Sequence, residues 1–241
     1  MDNQSNPSYN KSKKGQAIIL TLILIIPVLF YAFLQLFGKN EFVELDVLNP
    51  AVEGCQPNLG DSVHLIPDFS FTAQTGTTVS NKTVEGKVYV AGFFNSESSD
   101  TSRTIMTALE RVQERFKEDK EVKILLHTFN PRVDSMAILQ NFANQYKANP
   151  TQWFFLTGDS TILNNQLRCG YLPFSAYADK ERVYTFSVED FQPHLLVLVD
   201  RDKQIRGYFD ALIRTEVDRL MTEIDLLMLE YAKREEKNQS L

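Results

Sequence analysis

Residues 88–104, Val-Tyr-Val-Ala-Gly-Phe-Phe-Asn-Ser-Glu-Ser-Ser-Asp-Thr-Ser-Arg-Thr, hold a short apolar run, a turn rich in Ser and Asp, and the opening of a helix. The apolar run, 88–94, is too short for a typical helix and dense in β-branched and aromatic side chains, so it reads as a buried central strand. Ser98, Ser99 or Asp100 then caps a helix that carries Ile105, Leu109, Val112 and Phe116 on one face. A helix N-terminus stabilises negative charge, so a cysteine placed there ionises readily. This loop contains no cysteine.

Outward from that stretch the chain alternates strands and helices. Residues 69–73 alternate polar and apolar, 74–76 turn and 77–79 return, which predicts an entrance β-hairpin. Residues 122–129 form the next strand, parallel to the first because a helix joins them. Asn130-Pro131 breaks it, and Asp134 is expected to cap a helix bearing Leu139, Phe142, Ala143 and Tyr146. Trp153 opens another strand as core packing, and Asp159 caps the helix after it. Residues 195–200 and 204–210 read as a second hairpin, followed by a helix facing the sheet with Val217, Leu220, Met221, Ile224, Leu227 and Met228.

The N-terminal part has a different composition. Residues 16–37 are almost wholly apolar and long enough to cross a hydrocarbon core of roughly 30 Å. Lys11, Lys13 and Lys14 precede them, which orients that end to the cytoplasm and the rest to the periplasm. A cleaved signal peptide is the rival reading, but about 20 apolar residues is long for one and no small-x-small site follows. The expected organisation is a disordered cytoplasmic tail (1–15), a transmembrane anchor (16–37), a linker (38–61), one folded domain (62–232) and a charged tail (233–241). Beyond residue 39 there are 21 basic and 30 acidic residues, a net charge of −9 that argues against nucleic acid as a partner.

Several words in the folded part resemble the Sco/SenC family, thioredoxin-like copper-delivery proteins of cytochrome c oxidase assembly. They are Ile66-Pro-Asp-Phe-Ser-Phe71, Gly86-Lys-Val-Tyr-Val90, Gly92-Phe-Phe94, Asn130-Pro-x-x-Asp134, Trp153-Phe-Phe-Leu-Thr-Gly-Asp159 and Gln204-Ile-Arg-Gly-Tyr-Phe-Asp210. The resemblance runs from Ile66 to Met228 and implies an α/β, thioredoxin-like sandwich with an N-terminal β-hairpin extension, preceded here by a single transmembrane helix. It further implies a copper site of a Cys-x-x-x-Cys pair and a distant His, which fall on Ser96, Asp100 and Gln192. The nearest histidine, His194, lies two residues on, a displacement of about 6.6 Å along a strand. Pro193 falls where thioredoxin-like proteins often hold a cis-proline; a trans proline opening a strand is the plain alternative.

Cu(I) prefers thiolate and imidazole, and a serine hydroxyl with a carboxylate does not replace two thiolates. The expectation is therefore a non-enzymatic, membrane-anchored relative without cofactor, acting as accessory or scaffold with a respiratory oxidase subunit or its assembly factors. One alternative keeps copper through a rearranged set, His194, His127 or His64 with Cys169. Another is thiol–disulfide oxidoreduction through Cys55 and Cys169, which sequence alone leaves either as a structural disulfide or as two unrelated thiols. A Ser96, His194, Asp100 hydrolytic triad has the residue types but no nucleophile-elbow spacing.

Overall fold

The computed structural model describes residues 13–37, 45–48, 55, 64–97, 99–171 and 194–239. It divides into two units, residues 1–43 and 44–241. In the first, α1 (Lys13–Phe37) is a 25-residue helix with Pro27 inside. It begins three residues before the expected apolar segment and exposes Ile, Leu, Val and Phe side chains through residues 18–33. Among the described residues no helix is long and apolar enough to cross a membrane. The expected membrane anchor is thus an expectation from the composition of residues 16–37 alone.

The second unit is built on one seven-stranded sheet of order β2-β1-β5-β4-β3-β6-β7. The strands are β1 (Ser70–Ala73), β2 (Thr78–Ser80), β3 (Val88–Phe94), β4 (Val122–Thr128), β5 (Trp153–Thr157), β6 (Leu195–Val199) and β7 (Ile205–Asp210). The helices are α2 (Asn81–Val84), α3 (Ser99–Arg115), α4 (Met136–Gln145), α5 (Ser160–Gln166) and α6 (Arg214–Gln239), with a π-helical turn, Leu167–Tyr171, continuing α5. Strand β3 is buried at all seven positions, as expected of a central strand. It pairs in parallel with β4 and antiparallel with β6. Both expected hairpins form, β1 with β2 and β6 with β7. Gly76, at φ +81°, makes the turn of the first in a left-handed conformation that side chains disfavour.

Each face of the sheet carries its own core. On one, Ile105, Leu109, Val112 and Phe116 of α3 meet Leu139 and Ala143 of α4 and Val217, Leu220, Ile224 and Leu227 of α6. On the other, Leu163 of α5, with Leu167 and Tyr171 of the π-turn, packs with Ile66, Phe69, Phe71 and Phe93. Trp153 is fully buried in the first core, as expected of packing. Helices on both faces of a mixed sheet make this a thioredoxin-like sandwich.

Two points of the expected linker are fastened to the domain. Leu48 bridges Ile205 of the edge strand β7 through a backbone bond of 2.8 Å from Leu48 N–H to the Ile205 carbonyl. Cys55 forms a disulfide with Cys169 of the π-turn, their Cα atoms 5.5 Å apart. Helix α6 continues through the charged segment to Gln239, supported by an Arg234–Glu230 pair one turn apart.

Candidate functional site

The C-terminal ends of β3 and β4 and the N-terminal end of β6 lie side by side, because β6 runs antiparallel to β3. The loop from Phe94 to α3 is held by Asn95, whose side-chain oxygen accepts from Glu97 N–H at 3.0 Å and whose carbonyl accepts from Ser102 Oγ at 2.6 Å. Ser96 Oγ donates to Asp134 Oδ1, and Thr128 Oγ1, at the end of β4, donates to Asp134 Oδ2. Asp134 is fully buried.

This corrects the expected role of Asp134. The N-cap of α4 is Ser135, with no side-chain capping bond, while Asp134 turns inward to tie the two strand ends together. A buried carboxylate needs donors, and two hydroxyls at the strand ends supply them, which outweighs one exposed capping bond. Asp159 does cap α5, accepting from Thr161 N–H at 2.8 Å and Ile162 N–H at 3.2 Å.

The two positions to which the resemblance assigns thiolates therefore differ in environment. Ser96 gives its hydroxyl hydrogen to Asp134. Asp100, in the first turn of α3, has a side chain 92% exposed and lies 3.4 Å from Arg103 in an ion pair open to water. Neither oxygen is a soft donor, and the two do not fit Cu(I). Ser98, Gln192 and Pro193 lie outside the described residues. His194 is described: its Nε2 is 3.6 Å from Asp210 Oδ2, and its carbonyl accepts from Ala211 N–H at 2.9 Å, so it fastens the start of β6 to the end of β7.

His127 is fully buried among the rings of Phe71, Phe93 and Tyr171, at centroid distances of 5.1, 5.0 and 5.6 Å. Neither ring nitrogen has a hydrogen-bond partner among the described residues, and burial pushes its pKa down to about 3. It is a neutral core residue. His64 Nε2 lies 3.0 Å from the carbonyl oxygen of Gly170. No three His, Cys, Asp or Glu side chains among the described residues gather as a metal site.

Sequence reasoning missed one charged group altogether. Arg206, nearly buried on β7, pairs with Asp200 at 3.0 Å and Glu230 at 3.4 Å and donates to the Leu45 carbonyl. The signal was a lone arginine inside an apolar strand three residues after the turn that ends at Lys203, a position that requires an internal partner.

A thioredoxin-like sandwich whose strand ends carry Ser96 and His194 defines the class. The SCO1/SenC family model matches residues 58–228, and the chain belongs to that family. It is 28% identical over 96 residues to an SCO1 protein homolog of Bacillus subtilis, a match covering 39% of this chain and 50% of that protein. The chain is thus aligned with half the length of that relative.

Solved structures agree on the fold. BsSco, of the Sco family of cytochrome c oxidase assembly proteins, superposes with a TM-score of 0.56 at 17% identity, covering 76% of this chain and 97% of that one. An SCO1/SenC family lipoprotein from Bacillus anthracis gives 0.56 at 17% identity, over 74% of this chain and 99% of that one. Copper-bound ScoI of Bradyrhizobium japonicum gives 0.51 at 18% identity, over 68% and 99%.

Proposed function

We propose that this chain is a membrane-anchored accessory factor or scaffold in the assembly of a copper-containing respiratory oxidase, with the family's copper and redox positions out of use. Family membership supplies the link to oxidase assembly. One observation carries the remainder: Ser96 is committed to the buried Asp134 while Asp100 faces water. The apolar segment 16–37, with Lys11, Lys13 and Lys14 before it, supports a single-pass anchor with its N-terminus inside and the domain in the periplasm.

The test is genetic complementation in a strain lacking the chain, read as assembled copper oxidase by its haem spectrum and oxygen consumption. A Ser96→Ala, Asp100→Ala double variant restores both as well as the natural chain does. Loss of rescue by that variant, with normal protein levels, would show that these positions act.

A second reading, thiol–disulfide exchange through Cys55 and Cys169, is favoured by their bond and by the half-buried state of both residues. It requires that Cys55→Ser or Cys169→Ser abolish rescue.

A further inference from the structure

We propose that the free edge of β7 and the groove beside it dock an extended, lysine- or arginine-bearing segment of a partner protein, which adds to the sheet as a further strand. The inference goes beyond the scaffold reading and rests on geometry of its own.

The order of the sheet places β7 at an edge. Ala211 N–H donates to the His194 carbonyl, and antiparallel pairs alternate between residues that bond across and residues that face away. Tyr208 and Asp210 are therefore the residues whose backbone groups face outward. Their carbonyls are occupied, that of Tyr208 by Arg219 Nη2 at 2.9 Å and that of Asp210 by Ile213 N–H at 3.1 Å. Their N–H groups have no described strand beside them. Such an edge is a template for another chain, and strand addition through main-chain bonds is a recurring mode of peptide recognition.

The chain itself shows that this edge accepts a neighbour. Leu48 forms an antiparallel bridge with Ile205, its nitrogen 2.8 Å from the Ile205 carbonyl oxygen. Three residues earlier, the Leu45 carbonyl accepts from the Arg206 side chain instead of pairing with the strand backbone. Between residues 45–48, β7 and the first turns of α6 lies a groove of about 700 Å³.

Charge identifies the kind of segment that fits. The groove is walled by the carboxylates of Asp46, Asp210, Glu216 and Glu223 and the guanidiniums of Arg206 and Arg219. Arg219 is held by Glu216 and Glu223 at 2.6 and 2.7 Å, and Arg206 by Asp200 and Glu230. Asp46 and Asp210 have no lysine or arginine partner among the described residues, and His194 approaches Asp210 only to 3.6 Å. Their surplus negative charge favours a basic side chain. Ile213, 48% exposed, adds an apolar spot to the same wall. A small polyamine would meet the charge but brings no carbonyl to the outward N–H groups, whereas an extended peptide supplies both.

The test measures fluorescence anisotropy of a labelled Lys-Val-Lys-Val-Lys-Val peptide added to the full chain in non-ionic detergent. The natural chain binds it about tenfold or more tightly than a Glu-Val-Glu-Val-Glu-Val peptide or a fully N-methylated counterpart. Asp46→Asn with Asp210→Asn, which keeps an oxygen acceptor at each position, weakens binding by about tenfold. Glu114→Gln with Glu235→Gln, the same charge change on exposed residues outside the groove, leaves it unchanged. Hydrogen exchange on the natural chain, which needs no variant to fold, slows at the Tyr208 and Asp210 amides when the peptide binds. Equal binding of the N-methylated peptide, an unaffected Asp46, Asp210 variant, an equal loss in the Glu114, Glu235 variant, or no slowing at those two amides would overturn the assignment. So would slowing there with chain concentration and no peptide, because a second copy would then hold the edge. Complementation by the Ser96, Asp100 variant is read on other residues, so the two readings fail separately.

Discussion

Asp134 receives two hydroxyl hydrogens, from Ser96 and from Thr128, and is fully buried. Removing one donor from a buried carboxylate costs about 1–3 kcal/mol, because the oxygen left behind has lost water and gained nothing. Ser96→Ala is therefore expected to lower the urea midpoint by that amount with an unchanged slope. Thr128→Val is expected to do the same, and the double variant to differ from the sum because both donors serve one group. His127 gives a second prediction at this scale. Burial holds its folded pKa near 3, below the ordinary value of 6.5. Between those values the unfolded chain binds a proton that the folded chain refuses, so stability falls as pH drops from about 6.5 towards 3 and levels off below. Over the whole window the loss amounts to a few kcal/mol. His127→Leu removes a buried imidazole without partners, so it is expected to be neutral or stabilising at pH 7 and to flatten that dependence. Urea unfolding at pH 7, 5.5 and 4.5 measures both effects, and an unchanged pH profile in the variant would refute the assignment.

Elements were legible where one period dominates. The spacing of Ile105, Leu109, Val112 and Phe116 gave the buried face of α3, and the apolar run 88–94 gave the central strand. Side-chain roles at element ends were less so, because a short polar residue there has several partners within reach and sequence does not say which is buried. Asp134 precedes a helix, as a capping residue does, yet the neighbouring strand ends claim it. The Cys55–Cys169 pairing was an open alternative for the same reason: 114 positions separate the residues, and no local pattern records their approach. Arg206 shows the limit most clearly. It joins β7 to Asp200, to Glu230 of α6 and to the carbonyl of Leu45, three places far apart in the chain. Burial raises the pKa of Asp200, against the pull of Arg206. Without the guanidinium that buried carboxylate has no ion-pair partner among the described residues, and breaking such a pair costs about 3–5 kcal/mol. Arg206→Ala is expected to lose that much in chemical denaturation, and Arg206→Lys to recover only part, since one ammonium does not reproduce the planar fork. Full recovery by lysine would show that charge alone matters there.

At the scale of the molecule, the disulfide links the N-terminal approach of the chain to the far face of the sheet. It closes a loop of 114 residues that contains β1 through β5 and most of the sheet's central pairing. In the chain-entropy account, closing about 100 residues restricts the unfolded state by about 4.7 kcal/mol. The folded state has little to lose on opening, since Cys55 is half-exposed and both cores are built from other residues. Reduction is therefore expected to lower stability by up to about 5 kcal/mol while leaving the near-ultraviolet dichroism of the native state in place. Cys169→Ser should match the reduced natural chain and be indifferent to reductant, because it has no crosslink to lose. A thermal scan of three samples, oxidised, reduced and Cys169→Ser, separates these effects. A midpoint that reduction does not move would mean that the crosslink constrains neither state, and the domain would then owe its stability to the two cores alone.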